Sequence, residues 1–157
     1  MSGVTFNLKK TKSKMPAIKA AFKDYDVEAG ILQSAGKHKD SDESVAQVAL
    51  WNEYGTPKIP ERPAFRSSFA KNQKKYFAML KKMVGKGFKG RKLTMLEYEK
   101  LGKEARDDIQ KSIVGGGWVP NAPSTQKAKG KGKQLINDPL VNTGQTVDSV
   151  DYRVKKK

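Results

Sequence analysis

Hydrophobic and polar positions along the chain change period several times, and each change predicts a new element. Val4, Phe6 and Leu8 alternate with polar residues, the period-two pattern of a short strand, and a basic connector follows over 9–14. After Pro16, the apolar residues Ile18, Ala21, Phe22 and Tyr25 recur at helical spacing and define one stripe. Val27, Ala29 and Ile31 alternate again, predicting a strand that runs into an exposed polar loop over 34–42. Asp42 or Ser41 can cap the next helix, which passes through Val45, Val48, Ala49, Leu50 and Trp51 to Tyr54 and stops at Gly55. Apolar residues nearly surround this helix, so it is expected to be covered on several sides.

Pro63 falls in the first turn of a longer helix. Its Phe65, Phe69, Tyr76, Leu80 and Met83 share one face, while Lys71, Lys74, Lys75, Lys81 and Lys82 take the opposite one. Over about 20 residues it would span about 30 Å and display a straight basic ridge backed by core contacts. The stretch 85–90 breaks the pattern, and Thr94 with Glu97 has capping-box spacing for a third main helix with a buried stripe of Tyr98, Leu101, Ala105, Ile109 and Ile113. Gly115-Gly116-Gly117 ends it, and from there to Thr143 only a turn of helix near Ser124 is suggested. So long a loop is expected to be functional or to order on binding. Val150, Tyr152 and Val154 form a closing strand expected to pair with 27–31. The sum is α+β: a small antiparallel sheet packed with three to four helices, a long and partly unstructured loop, and a basic tail. One domain, 1–157, accounts for it, with a core over 16–114 and 143–155 and an extended loop over 115–142.

Composition narrows the class. A chain of 157 residues with 36% hydrophobic side chains supports one core. The lack of cysteine rules out disulfides and thiolate chemistry. No apolar run approaches a membrane span, and Met1-Ser2-Gly3 opens no signal-peptide core, so a soluble protein not exported by such a signal is expected. The formal charge of +16 favours polyanions or acidic protein surfaces as neighbours. Between Arg62 and Lys92 there is no acidic residue, and a second such zone runs over 109–137, where Lys127, Lys129, Lys131 and Lys133 alternate. The chain ends on Lys155-Lys156-Lys157.

Candidate chemistry changes the picture little. The single histidine, His38, lies between two lysines, which is a poor setting for a metal or a general base. Asp107 and Asp108 are adjacent on a helix, point apart, and read as a solvated face. The triple glycine is not followed by Gly-Lys-Ser/Thr, so it reads as a helix stop and not as a phosphate loop. No enzyme activity, metal or cofactor is expected. Nucleic-acid binding is the stronger alternative, because the ridge and the lysine-glycine loop can contact phosphates; without a readout motif, such contact would be independent of sequence.

Two segments carry a resemblance. The run Val45-Ala46-Gln47-Val48-Ala49-Leu50-Trp51-Asn52-Glu53-Tyr54-Gly55-Thr56-Pro57-Lys58-Ile59-Pro60-Glu61-Arg62-Pro63-Ala64-Phe65-Arg66 resembles the tail completion or minor tail family of long-tailed bacteriophages. That family's pattern is a helix ending in Glu-aromatic-Gly-Thr followed by Ile-Pro-x-Arg-Pro-Phe. Downstream, Pro120-Asn121-Ala122-Pro123-Ser124-Thr125 with Lys127, then Asp138-Pro139-Leu140-Val141-Asn142-Thr143-Gly144 and Ser149-Val150-Asp151-Tyr152, is similar to the family's second block. Ala64 between Pro63 and Phe65, and Thr146 in place of a long apolar residue, depart from the pattern. The resemblance implies a non-enzymatic virion protein of the neck or tail, assembled in the host cytoplasm as a homo-oligomeric, commonly hexameric, ring. Its partners would be a tail terminator or tail tube protein and the head-tail connector, with nonspecific contact to phage DNA and none to membrane. Glu53, Gly55, Pro57, Pro60, Arg62, Pro63 and Phe65 would form a structural corner. Trp118, Pro120, Asn121, Thr125, Pro139, Leu140, Thr143 and Gly144 would belong to the assembly loop, and the lysines of the ridge and loop would face partners or DNA.

Overall fold

In the computed structural model, the described residues are 13, 15–22, 24–37, 42–129, 139–140 and 144–157. The expected strand over Val4, Phe6 and Leu8, together with His38, Lys131, Lys133 and Thr143, lies outside them. The fold is α+β: a two-stranded antiparallel sheet carrying six α-helices among the described residues, more than the three to four expected. Strand β1 (Tyr25–Ile31) pairs with β2 (Val150–Lys156) as the alternation predicts, with Val27 opposite Val154, Ala29 opposite Tyr152 and Ile31 opposite Val150. On the polar face Glu28 accepts bonds from Lys155 and Arg153 at 2.7 and 2.8 Å, which lower its carboxyl pKa.

The apolar face of the sheet lies on α4 (Met95–Gly115), which in turn packs against α3 (Ala64–Phe88). One core cluster joins Met83, Leu93 and Tyr98 with Phe22, Tyr25 and Val154; a second joins Ala64, Ile109, Ile113 and Val150 with Phe65, Trp118 and Leu140. Helix α1 (Met15–Ala21) stops before Tyr25, which begins β1 and reaches the core from the strand, its ring 5.1 Å from that of Tyr98. The apolar stripe thus continues across a change of element, because a helix and a following strand can feed the same core.

Helix α3 does not break at Gly85 but continues to Phe88. A helix-interior glycine costs about 1 kcal/mol, less than the packing of Met83 on α4 supplies. The stop comes at Gly90, whose φ of +70° ends the helix while Arg91 N–H donates to the Lys86 carbonyl. The predicted capping box of Thr94 and Glu97 is present at the start of α4. The Lys86 ammonium, 2.5 Å away, and the Thr94 hydroxyl push the Glu97 carboxyl down to about 2.

Asp108 is not on a solvated face. It is buried between α3 and α4, accepts a bond from the Tyr76 hydroxyl at 2.9 Å and pairs with Lys75, which also reaches Glu104 at 3.0 Å. Burial and the adjacent carboxylate push the Tyr76 hydroxyl up to about 12. Burial pulls the Lys75 ammonium down, but Asp108 and Glu104 outweigh it and the pKa is raised. Lys75 therefore belongs to the interhelical contact and not to the ridge.

Helix α2 (Val45–Tyr54) is capped by Ser44, not by Asp42 or Ser41, through a 3.1 Å bond from Gln47 N–H to the Ser44 hydroxyl. It is covered on one side only. Val45, Ala49 and Glu53 are buried, whereas Leu50 and Tyr54 are exposed. Two short helices complete the fold, α5 (Pro123–Lys129), longer than the single turn expected near Ser124, and α6 (Gln145–Asp148).

Candidate functional site

The chain between α2 and α3 makes a corner whose bonds follow from its residue types. Gly55 has φ +75° and ψ 170°, a region open in practice only to glycine, and a Cβ there would meet the backbone of Glu61 and Ile59 at 3.1 and 3.2 Å. The helix thus stops at Gly55, as expected, in an extended mirror-image conformation. Thr56 and Ile59 close a turn through paired backbone bonds of 2.8 and 3.2 Å, with Pro57 exposed at its tip. Pro63 is the N-cap residue of α3, one position before the helix, and has no side-chain group to satisfy the first N–H donors.

Glu53 supplies what Pro63 lacks. Its buried carboxylate accepts from Phe65 N–H at 3.0 Å and Arg66 N–H at 2.9 Å, so the last turn of α2 caps the first turn of α3. The Arg66 guanidinium closes the arrangement, bonding Glu53 at 3.1 Å and Glu61 at 2.5 Å while lying 4.7 Å from the Tyr54 ring centre. Glu61 and Glu53 together raise the Arg66 pKa.

Arg62 is bound differently. It is 5% exposed, and every acceptor it uses is neutral: Val119 O at 2.8 Å, Asn52 Oδ1 at 3.0 Å, Pro120 O at 3.1 Å and Asn121 Oδ1 at 3.3 Å. No carboxylate lies within salt-bridge distance of it among the described residues. Burial lowers its pKa. Arg62, expected as part of the structural corner, is also the pin that holds the segment after α4 against that corner.

Beside Arg62 opens a cavity of about 290 Å³. Pro60 and Arg62 of the corner line it, and so do Asn121, Thr125, Lys129 and Leu140 of the loop. Three stretches far apart in sequence thus share one wall. Pro139 and Leu140 form a turn, with Leu140 at φ +63°, and Gly144 precedes α6 at φ +77°. Trp118 lies elsewhere, donating from Nε1 to the Ser112 and Ile113 carbonyls at 3.1 Å and so satisfying the end of α4.

Lys71, Lys74, Lys81 and Lys82 are exposed along α3, and Lys127 is exposed on α5. The aromatic stripe of α3 is less closed than expected: Tyr76 and Met83 are buried, but Phe69 is 61% exposed beside an apolar groove formed with Val27, Ala29 and Leu80. A two-stranded sheet is too narrow to cover the whole stripe. Sequence reasoning missed Asn52, Lys58, Arg66 and Gln145. Asn52 offered the one usable signal, an amide among apolar residues directly before Glu53.

Among the described residues no group of His, Asp or Glu is arranged to hold a metal, and no helix is long and apolar enough to cross a membrane. Comparison with family models, curated proteins and solved structures finds no match to the chain.

Proposed function

We propose that the chain is a non-enzymatic structural subunit of a tailed-phage neck or tail, a ring-forming tail completion protein that joins the tail to the head-tail connector. The observation that carries the reading is the meeting of the two resemblance-bearing segments at Arg62. The corner motif and the Pro120-Asn121 motif are far apart in sequence, yet a single guanidinium binds both. Asn121, Thr125, Lys129 and Leu140 of the second segment line one cavity with Pro60 and Arg62 of the corner, so the two segments present a joint surface that neighbouring subunits could contact repeatedly. Exposed large apolar residues, among them Phe69, Phe77, Val114 and Val119, supply surface that an assembly would bury. Light scattering and negative-stain imaging of the chain with tail tube, tail terminator and connector proteins test the reading. Rings that attach to tails are the expected result, and a monomer that never joins tails overturns it.

One observation favours a second reading, a nucleic-acid-binding protein indifferent to sequence. Phe77 is 60% exposed and shares its side of α3 with the exposed Lys74 and Lys81, so an aromatic surface stands among cations. That reading requires duplex or single-strand binding at low salt, weakening with a slope set by several phosphates; absence of binding at low salt removes it.

A further inference from the structure

Arg62 presents an unresolved charge. A guanidinium has five N–H donors, and four bonds to neutral oxygens leave one N–H on Nη1 without an acceptor among the described residues. Carbonyl and amide dipoles solvate the cation but do not cancel its charge, and burial in a low-dielectric setting makes the remaining positive potential strong. Nη1 is the nitrogen that holds Asn52, and both Arg62 and Asn52 line the cavity. Lys58 and Thr125 line the same cavity. Among the described residues, no acidic side chain lines the cavity.

Size and lining narrow the occupant. A cavity of about 290 Å³ is at the lower end of ligand pockets, too small for a nucleotide or cofactor and suited to one side chain or one short acid. Val48, Ile59 and Leu140 form an apolar part of the wall, matching an aliphatic stem better than the fully charged surface of a phosphate or sulfate. With only one donor of Arg62 left, the fork is occupied and a single oxygen is the natural partner, joined by Lys58.

The geometry points to a carboxylate-binding site: the Arg62 cavity takes a carboxylate on a short aliphatic stem, from an acidic protein side chain or a free small acid. This is read from the chain alone and stands or falls separately from the assembly role. The test is a titration of the intact chain at ionic strength held constant with sodium chloride. The probes are glutarate, a blocked peptide carrying one glutamate, and sulfate, followed through the Arg62 Nε–H and Asn52 side-chain amide resonances. Saturable shifts with glutarate or the peptide, and none with sulfate, are expected. Saturation by the peptide at about tenfold lower concentration assigns the carboxylate to a protein partner, and the same or the reverse order assigns it to a free acid. Lys58→Glu, at an exposed turn position, is expected to weaken the carboxylate response about tenfold while leaving the urea midpoint in place. Three results overturn the proposal: no saturable shift, an equal response to sulfate, or a response that appears only in Asp138→Asn, which would mean that the chain's own carboxylate fills the cavity.

Discussion

The corner between α2 and α3 and the outer side of α3 are both rich in charge and adjoin each other, yet they use charge in opposite ways. In the corner, Glu53 and Arg62 are buried and Arg66 is clamped between two carboxylates, with bonds that run to backbone groups of other elements. On the outer side of α3, Lys71, Lys74, Lys81 and Lys82 are exposed. A charge buried with its partners fixes backbone geometry, because removing it strands every group it satisfied. A charge left in water fixes almost nothing and remains available to a partner. The corner therefore defines shape, and the outer face of α3 is where electrostatic attraction can act.

The widest gap between the regions is expected from Arg62→Ala, which leaves the Val119 and Pro120 carbonyls and two asparagine oxygens without their donor. A loss of about 3–4 kcal/mol should appear as a lower urea midpoint, and amide exchange should rise first over 119–122. Glu53→Ala follows, at about 2–3 kcal/mol, because the first N–H groups of α3 and the Arg66 guanidinium lose their acceptor. An equally stable Glu53→Ala protein would mean that water caps α3 as well as the carboxylate does.

Adjacent lysines sharpen the comparison within a single turn. Lys75→Ala exposes the buried Asp108 charge and should cost about 1 kcal/mol, whereas Lys74→Ala should stay within about 0.5 kcal/mol. Equal effects on thermal denaturation would place Lys75 with the solvated face after all. The smallest effect is a pH dependence at the start of α4. The folded pKa of Glu97, about 2, lies below its ordinary value of 4.5. Its contribution is therefore present above pH 4.5 and lost as pH falls from 4.5 towards 2. In Glu97→Gln the urea midpoint should vary less steeply with pH across that window, while the profile above pH 5 keeps its shape.

Much of the fold was legible in the sequence. The alternation of Val27, Ala29 and Ile31 with that of Val150, Tyr152 and Val154 foretold both strands and their pairing. Thr94 with Glu97 marked the start of α4, and Gly55 marked the end of α2. Each of these is a local matter, in which backbone conformation is set by the residue itself or by neighbours within one turn. The corner was legible as a unit, since Glu53, Gly55 and the prolines lie close together in the chain.

What the sequence could not express was the surroundings of a side chain. Periodicity puts Lys74 and Lys75 on one broad face of α3, but only the placement of α4 turns Lys75 towards Asp108. It also puts Phe69 on the apolar stripe, but a two-stranded sheet leaves that position open. Arg62 reads as the first of a basic run, and only the return of residues 119–121 converts it into a buried pin. The sequence by itself determined the two strands and their pairing, the end of α2 and the start of α4, because those choices rest on period, a glycine and a capping box. The tertiary structure alone decided which charges are buried, because burial depends on what packs opposite, and that partner is distant along the chain.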